Sequence, residues 1–328
     1  MISTMKAVVY TQYGPPDVLQ LREIEQAVPR DNEVLVKIHA SSVNFSSSAL
    51  VRGEPFIARL WSGLPSPRHQ IPGSDIAGRV AAVGKNVTQF QPGDEVFGDI
   101  SGFGWGGYAE YVAAPESLLA LKPANISFEQ AASVPEAAVV ALQGLRDKGQ
   151  IRPGQKVLIH GASGGIGAFA VQIAKAFGAH VTAVCSTRNV DLVRSIGADH
   201  IIDYTRDDFA QNGQRYDLIL ATAGNRSIFE YHRSLSPNGI YVATGGAMTQ
   251  IFQALLLGPI ISMTGSRKMG NLTVKPNQKD LVFLKALLEA GKIVPVIDRI
   301  YPLSQVADAI KYYEEGRSRG KVVISVAQ

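Results

Sequence analysis

Residues 156–189 read KVLIHGASGGIGAFAVQIAKAFGAHVTAVCSTRN. A short apolar strand, Lys156 to His160, runs into a glycine-rich turn, Gly161 to Gly167, and then into an amphipathic helix over Ile166 to Phe177. Strand, turn and helix in this order make a phosphate cradle. Glycines let the backbone approach a pyrophosphate, and the helix start offers unpaired N–H groups and the positive end of its dipole. Ala162, Ser163, Gly164, Gly165 and Ile166 are therefore the candidate phosphate contacts, and small Ala168 and Ala170 let the helix pack on a sheet. A glycine turn with no ligand is the plain alternative, and the surrounding alternation of elements argues against it.

The end of the second strand, Val181 to Val184, selects the cofactor. NAD sites place an acid about 20 residues after the glycines to hold the ribose 2′-hydroxyl. No acidic residue occurs from Ala162 through Val190; the strand ends instead in CSTRN, with Ser186 and Arg188. Hydroxyls and a guanidinium suit a 2′-phosphate, which an acid would repel, so NADPH is expected over NADH. The bland reading of Arg188 is a solvated residue at a helix start. Tyr204, after the third strand, either flanks the adenine ribose phosphate or is a surface tyrosine. TAGN (222–225) and TGG (244–246) follow the fourth and fifth strands, where ligands of doubly wound sheets sit. Asn225 and Gly245 are thus candidates for the nicotinamide side.

Outward from this stretch, strands and helices alternate from about Ser127 to residue 269, which predicts a Rossmann-type doubly wound parallel sheet. Ser127 is placed to cap the first helix, with Glu129 and Gln130 in its first turn. Residues 1–126 read differently, as closely spaced strands punctuated by Gly and Pro, a compact barrel-like domain. The boundary after the alternating region is expected around Thr264 to Pro276, with the tail, residues 270–328, returning to the first domain.

Composition narrows the class. The chain has 328 residues, 46% hydrophobic and 18% charged, so a soluble two-domain protein is expected. Its net charge of +4 is spread without a basic run, so no nucleic-acid partner is expected. Cys185 is the only cysteine, which excludes a disulfide framework and multi-cysteine zinc sites; it is expected to be small and buried. Without the apolar core of a signal peptide or a membrane-length apolar stretch, a cytoplasmic protein is expected. No tyrosine has a lysine four positions on, which excludes the short-chain dehydrogenase proton relay, and the six histidines do not group with Cys185 in metal-ligand spacing.

MKAVVYTQYGPPDVLQL, SSVNFSSSALVRG, IPGSDIAGRVAAVGKNVTQFQPGDEVFG, GGYAEYV and VLIHGASGGIGAFAVQIAKAFGAHV resemble a medium-chain dehydrogenase/reductase. Within that superfamily the chain resembles the zinc-free quinone oxidoreductase (zeta-crystallin-like) branch, over essentially its whole length. The resemblance implies an α/β fold: a GroES-like β-barrel-type catalytic domain, a Rossmann domain, and a cleft joining them. The position of the zinc enzymes' first cysteine ligand carries Asn44, the His of their GHE motif is Ser74, and the four-cysteine structural loop is missing. All three departures imply no metal. The branch's counterpart of Asn44 lies near nicotinamide and substrate. Relatives often carry VNxxD; here Ser47 takes the acid's place. The implied reaction passes hydride from NADPH to a quinone or the β-carbon of an enone. Such acceptors are already electrophilic, so neutral donors and exclusion of water suffice.

Phe56, Ile57 and Trp61, in the segment 52–73, either wall the substrate site or anchor an ordinary surface loop. Trp105 either faces substrate or packs. A homodimer is expected through the apolar stretch Ile251 to Met263. Two other functions stay open: an NADPH-binding protein without turnover, of the crystallin or RNA-associating sort, and a lipid enoyl-thioester reductase.

Overall fold

The computed structural model describes residues 3–56 and 59–326, the side chain of Trp61 excepted. Two compact units result: one built from residues 1–136, 276–289 and 295–328, the other from residues 137–275 and 290–294.

In the first unit, β1 (Thr4–Val9) pairs antiparallel with β2 (Gln20–Glu25). A larger sheet forms around the long strand β3 (Glu33–Val43). Antiparallel to β3 lie β4 (Asp75–Val83) and β6 (Tyr111–Pro115); β5 (Glu95–Asp99) then joins β4, and β7 (Leu119–Leu121) joins β5. Alternating side chains of these strands, including Val34, Val36, Ile38, Ile76, Val80 and Val96, point to one face and make the core. The helix Phe45–Arg52 continues directly from β3 and stops at Gly53, whose φ of 64° is the left-handed conformation that ends helices. The helix Phe128–Ala132 is capped as its sequence predicts: Ser127 and Gln130 form a reciprocal capping box.

The second unit is a six-stranded, wholly parallel sheet. Its strands are β8 (Lys156–His160), β9 (His180–Cys185), β10 (His200–Asp203), β11 (Tyr216–Ala221), β12 (Leu235–Ala243) and β13 (Lys268–Asn271). They lie in the order β10-β9-β8-β11-β12-β13, so the winding reverses between β8 and β11. Val157, Leu158 and Ile159 are fully buried, as a strand covered on both faces requires. Cys185 is buried too, and burial pushes its thiol up to about 11. β13 lies inside the stretch expected to be a domain boundary; it is the sixth strand of the sheet. The chain's last two strands, β14 (Ile297–Pro302) and β15 (Lys321–Ser325), join the first unit, where β15 runs antiparallel to β3.

Candidate active site

The glycine turn follows β8, at the carboxyl edge beside the reversal point, where doubly wound sheets take ligands. A methyl group on Gly167 would lie 2.0 Å from the carbonyl oxygen of Gly161, so only glycine lets helix and strand approach this closely. Gly164 caps the helix Gly165–Ala176, and no side chain caps that first turn, leaving its N–H groups to a ligand. Asn189 links the turn to the end of β9, its amide donating to Ser163 Oγ (2.8 Å) and Ser186 Oγ (3.3 Å). Its buried Oδ1 has no protein partner. An uncapped helix start, a glycine cradle and this orphaned acceptor fit a dinucleotide.

Arg188, Tyr204 and Asn225 are exposed, and Ser186 is half-buried at the end of β9. The loops carrying Asn225 and Gly245 meet backbone to backbone, Gly224 pairing with Gly246. Sequence spacing missed one acid. Parallel register sets Asp203 beside Cys185, and its carboxylate accepts from the hydroxyls of Thr187 (2.5 Å) and Thr205 (2.8 Å). The Thr187 bond above all holds its carboxyl below the usual range.

The first unit contains a polar cluster that register assembles at one end of its sheet. Asp75 at the start of β4 lies opposite Ser42 of β3 and opposite Asp99 of β5, and Lys321 opens β15 one position before the Val322–Val43 pair. Asn44 joins these groups. Its Nδ2 donates to Asp75 Oδ2 (2.9 Å) and Ser74 Oγ (3.1 Å), and its Oδ1 accepts from Lys321 Nζ. Asn44 thus occupies a helix N-cap position without capping the helix. Lys321 Nζ is 3.6 Å from Asp75 Oδ2, with both side chains buried. Glu136 completes the cluster: its backbone N–H donates to Asp75 Oδ1 (3.0 Å), and Oε2 accepts from Ser74 Oγ (3.1 Å) and Ser46 Oγ. Burial raises the carboxyl of Asp75; burial and the charge of Asp75 push Asp99 up to about 6. Of these residues the sequence singled out only Asn44 and noted Ser74. Asp75, Asp99 and Lys321 are close only because antiparallel neighbours bring them there, and Glu136 arrives from the first turn of the helix Pro135–Leu142.

Phe56 is exposed and lies 5.2 Å from the Arg59 guanidinium, which also covers Tyr13. Ile57 and the Trp61 side chain lie outside the described residues. Trp105 is half-buried on left-handed backbone, φ 66°. Ser47 is fully buried.

Residues 30–124 match the family described as alcohol dehydrogenase GroES-like domain, and residues 196–324 match the one described as zinc-binding dehydrogenase. The 2-methylene-furan-3-one reductase of Solanum lycopersicum is 37% identical, across 98% of this chain and 79% of its own. The chain belongs to the medium-chain dehydrogenase/reductase superfamily. Its GroES-like unit and Rossmann-type unit are that superfamily's two parts, and it is an NAD(P)H-dependent oxidoreductase. The chloroplastic NADPH-dependent alkenal/one oxidoreductase of Arabidopsis thaliana is 35% identical, over 98% of this chain and 79% of its own. The solved structure of the quinone oxidoreductase from Coxiella burnetii superposes with a TM-score of 0.88 at 31% identity, covering 99% of this chain and all of that one.

Among the described residues, the one group of His, Cys, Asp or Glu side chains spaced to hold a metal is Asp75, Asp99 and Glu136. It supplies oxygen only, where zinc sites are built on sulfur and imidazole nitrogen, and the Lys321 ammonium already serves it as cation.

Proposed function

We propose that this oxidoreductase uses NADPH to reduce conjugated carbonyl acceptors, an α,β-unsaturated ketone or aldehyde or a quinone, without a metal. The observation that carries the proposal is the Asn44–Ser74–Asp75–Lys321 network, in which Asn44 and Ser74 take the places that the resemblance gives to the zinc enzymes' first cysteine and GHE histidine. A conjugated acceptor needs no Lewis acid, because the charge arriving with hydride delocalises onto its carbonyl oxygen. The names of the tomato, Arabidopsis and Coxiella relatives support the same class of acceptor.

Bound at the glycine turn, NADPH supplies the hydride. Ala162, Ser163, Gly164, Gly165 and Ile166 hold its pyrophosphate, Ser186 and Arg188 its 2′-phosphate, and Asn225 and Gly245 its nicotinamide side; Tyr204 flanks the ribose phosphate. Asn44 serves the acceptor. Both its N–H groups are engaged within the unit, so a developing oxyanion takes one of them over from Ser74 or Asp75. Of the four residues considered for an apolar wall, the described Phe56 and Trp105 are assigned to it.

The helix Met248–Thr264 leaves Phe252, Leu255, Leu256, Ile260 and Met263 exposed, beside the edge strand β13. An apolar row of this size supports a homodimer. No described helix is long and apolar enough to cross a membrane; a cytoplasmic location remains part of the proposal. The test is NADPH oxidation against panels of enones, quinones and enoyl thioesters. Turnover of enones or quinones is expected. Tight NADPH binding with no turnover contradicts the proposal, and turnover of thioesters alone redirects it to lipid intermediates.

A further inference from the structure

Hydride addition to an enone or quinone leaves an anion that needs a proton, and the reduction proposed above names no donor. We infer that Glu136 stores that proton and hands it on through the hydroxyl of Ser46; the inference rests on that proposed reduction. Glu136 is linked to Asn44 through a single hydroxyl, since Ser74 Oγ accepts from Asn44 and donates to Glu136. Asp75 and Asp99 are buried, whereas Glu136 and Ser46 are half-buried, so these two are the side of the cluster from which a proton can leave.

Charge requires a stored proton. Three carboxyl groups with oxygens within 4.8 Å of one another face one ammonium, so not all three ionise near neutrality. Asp75 has the best claim to the charge, with Ser42, Asn44, the Glu136 N–H and Lys321 around it. Loss of water, then the charges of Asp75 and Asp99, push Glu136 up to about 8. The other ionisable groups facing it are Tyr108, raised, and Tyr313, raised to about 12, both neutral throughout this range.

The step balances. Bound NADPH would supply the hydride that forms the new C–H bond at the β-carbon and would be oxidised to NADP+ as the enone is reduced. The Ser46 O–H proton then forms a bond to the α-carbon, or to oxygen in a quinone. Ser46 Oγ recovers a proton from Glu136, and the Glu136 carboxylate is reprotonated from water. Glu136 acts through Ser46 and is a positioning residue for this proton.

Infrared spectra of the cofactor-free protein test the store. A protonated-carboxyl band that titrates away near pH 8 and is missing from Glu136→Gln is expected; its absence from the wild type overturns the inference. In turnover with an enone, kcat is expected to fall above about pH 8. Glu136→Gln and Ser46→Ala should lower kcat about a hundredfold, the lower end of general-acid contributions, with NADPH affinity unchanged. Ser46→Ala keeps the infrared band, and Glu136→Asp keeps the alkaline limb. A Glu136→Gln protein with wild-type kcat and pH profile overturns the assignment. A wild type that shows the band and binds NADPH but reduces no enone overturns the proposed reduction, and the proton's use with it.

Discussion

Lys321→Met removes the cation from the buried cluster while keeping an unbranched side chain of similar length. Lys321 Nζ serves three acceptors: Asp75 Oδ2 at 3.6 Å, Val43 O at 3.3 Å, and Asn44 Oδ1. Two neutral carbonyls then lose a donor, at about 1 kcal/mol each. The larger loss is electrostatic. Stripping one partner from a buried ion pair costs about 3–5 kcal/mol, because the remaining charge stays buried without its counterion. Asp75 keeps its bonds from Ser42, Asn44 and the Glu136 N–H, which places the electrostatic loss near its lower end, about 3 kcal/mol, and the total at about 5 kcal/mol above neutrality. The pH dependence carries the diagnosis. The cluster's carboxyls have folded values raised above the unfolded ones, Asp99 to about 6 and Glu136 to about 8. Such groups contribute fully below the unfolded value, and their contribution is lost as pH rises through the folded value. Without Lys321 those values rise further, so the deficit should grow from about pH 4 to pH 8. Near pH 4.5 it should shrink to about 1–2 kcal/mol, the cost of the two neutral acceptors. Urea unfolding of both proteins at the two pH values measures this. An equal deficit at both, or less than about 1 kcal/mol at pH 8, refutes the assignment of Lys321 as the cluster's counterion.

Three further outcomes follow from the geometry. Arg188→Ala should raise the KM for NADPH about 10- to 100-fold, the value of a charge-assisted hydrogen bond, with little effect on NADH; steady-state kinetics with both cofactors decide, and equal effects contradict the 2′-phosphate assignment. Gly167→Ala forces a methyl group to within 2.0 Å of Gly161 O. It should cost about 1–3 kcal/mol and weaken NADPH binding in calorimetry, whereas Gly164→Ala, with its nearest neighbour 3.7 Å away, should leave stability unchanged. Leu256→Glu, in the exposed apolar row of the helix Met248–Thr264, should convert a dimer to a monomer in sedimentation; a wild type that is already monomeric at micromolar concentration contradicts the dimer.

The parallel unit was legible in the sequence because each of its signals is local. A buried strand, a glycine turn and an amphipathic helix each occupy a few consecutive residues, and their alternation specifies the topology. The edge strand β13 was missed because Lys268–Asn271 has only four residues and no β-branched run. The helix Phe45–Arg52 was missed for a related reason: NFSSS has the composition of a turn, and only the following ALVR and Gly53 give a helix ending. In the candidate site, the cofactor turn was readable while the carboxylate cluster was not. Asp75, Asp99, Glu136 and Lys321 span most of the chain; antiparallel pairing across β3, β4, β5 and β15 brings the first two and Lys321 together, and the helix Pro135–Leu142 adds Glu136. Single-sequence periodicity gives no register between strands. Asn44 came from the resemblance, and the structure adds what its amide touches.

The most direct measurement is NADPH oxidation with an alkenal and a quinone, on protein dialysed against a strong zinc chelator and assayed for metal content. Undiminished turnover in protein carrying well under one zinc per chain is the expected result. Activity that disappears on chelation and returns with stoichiometric zinc would contradict the metal-free site built from Asn44, Ser74, Asp75 and Lys321.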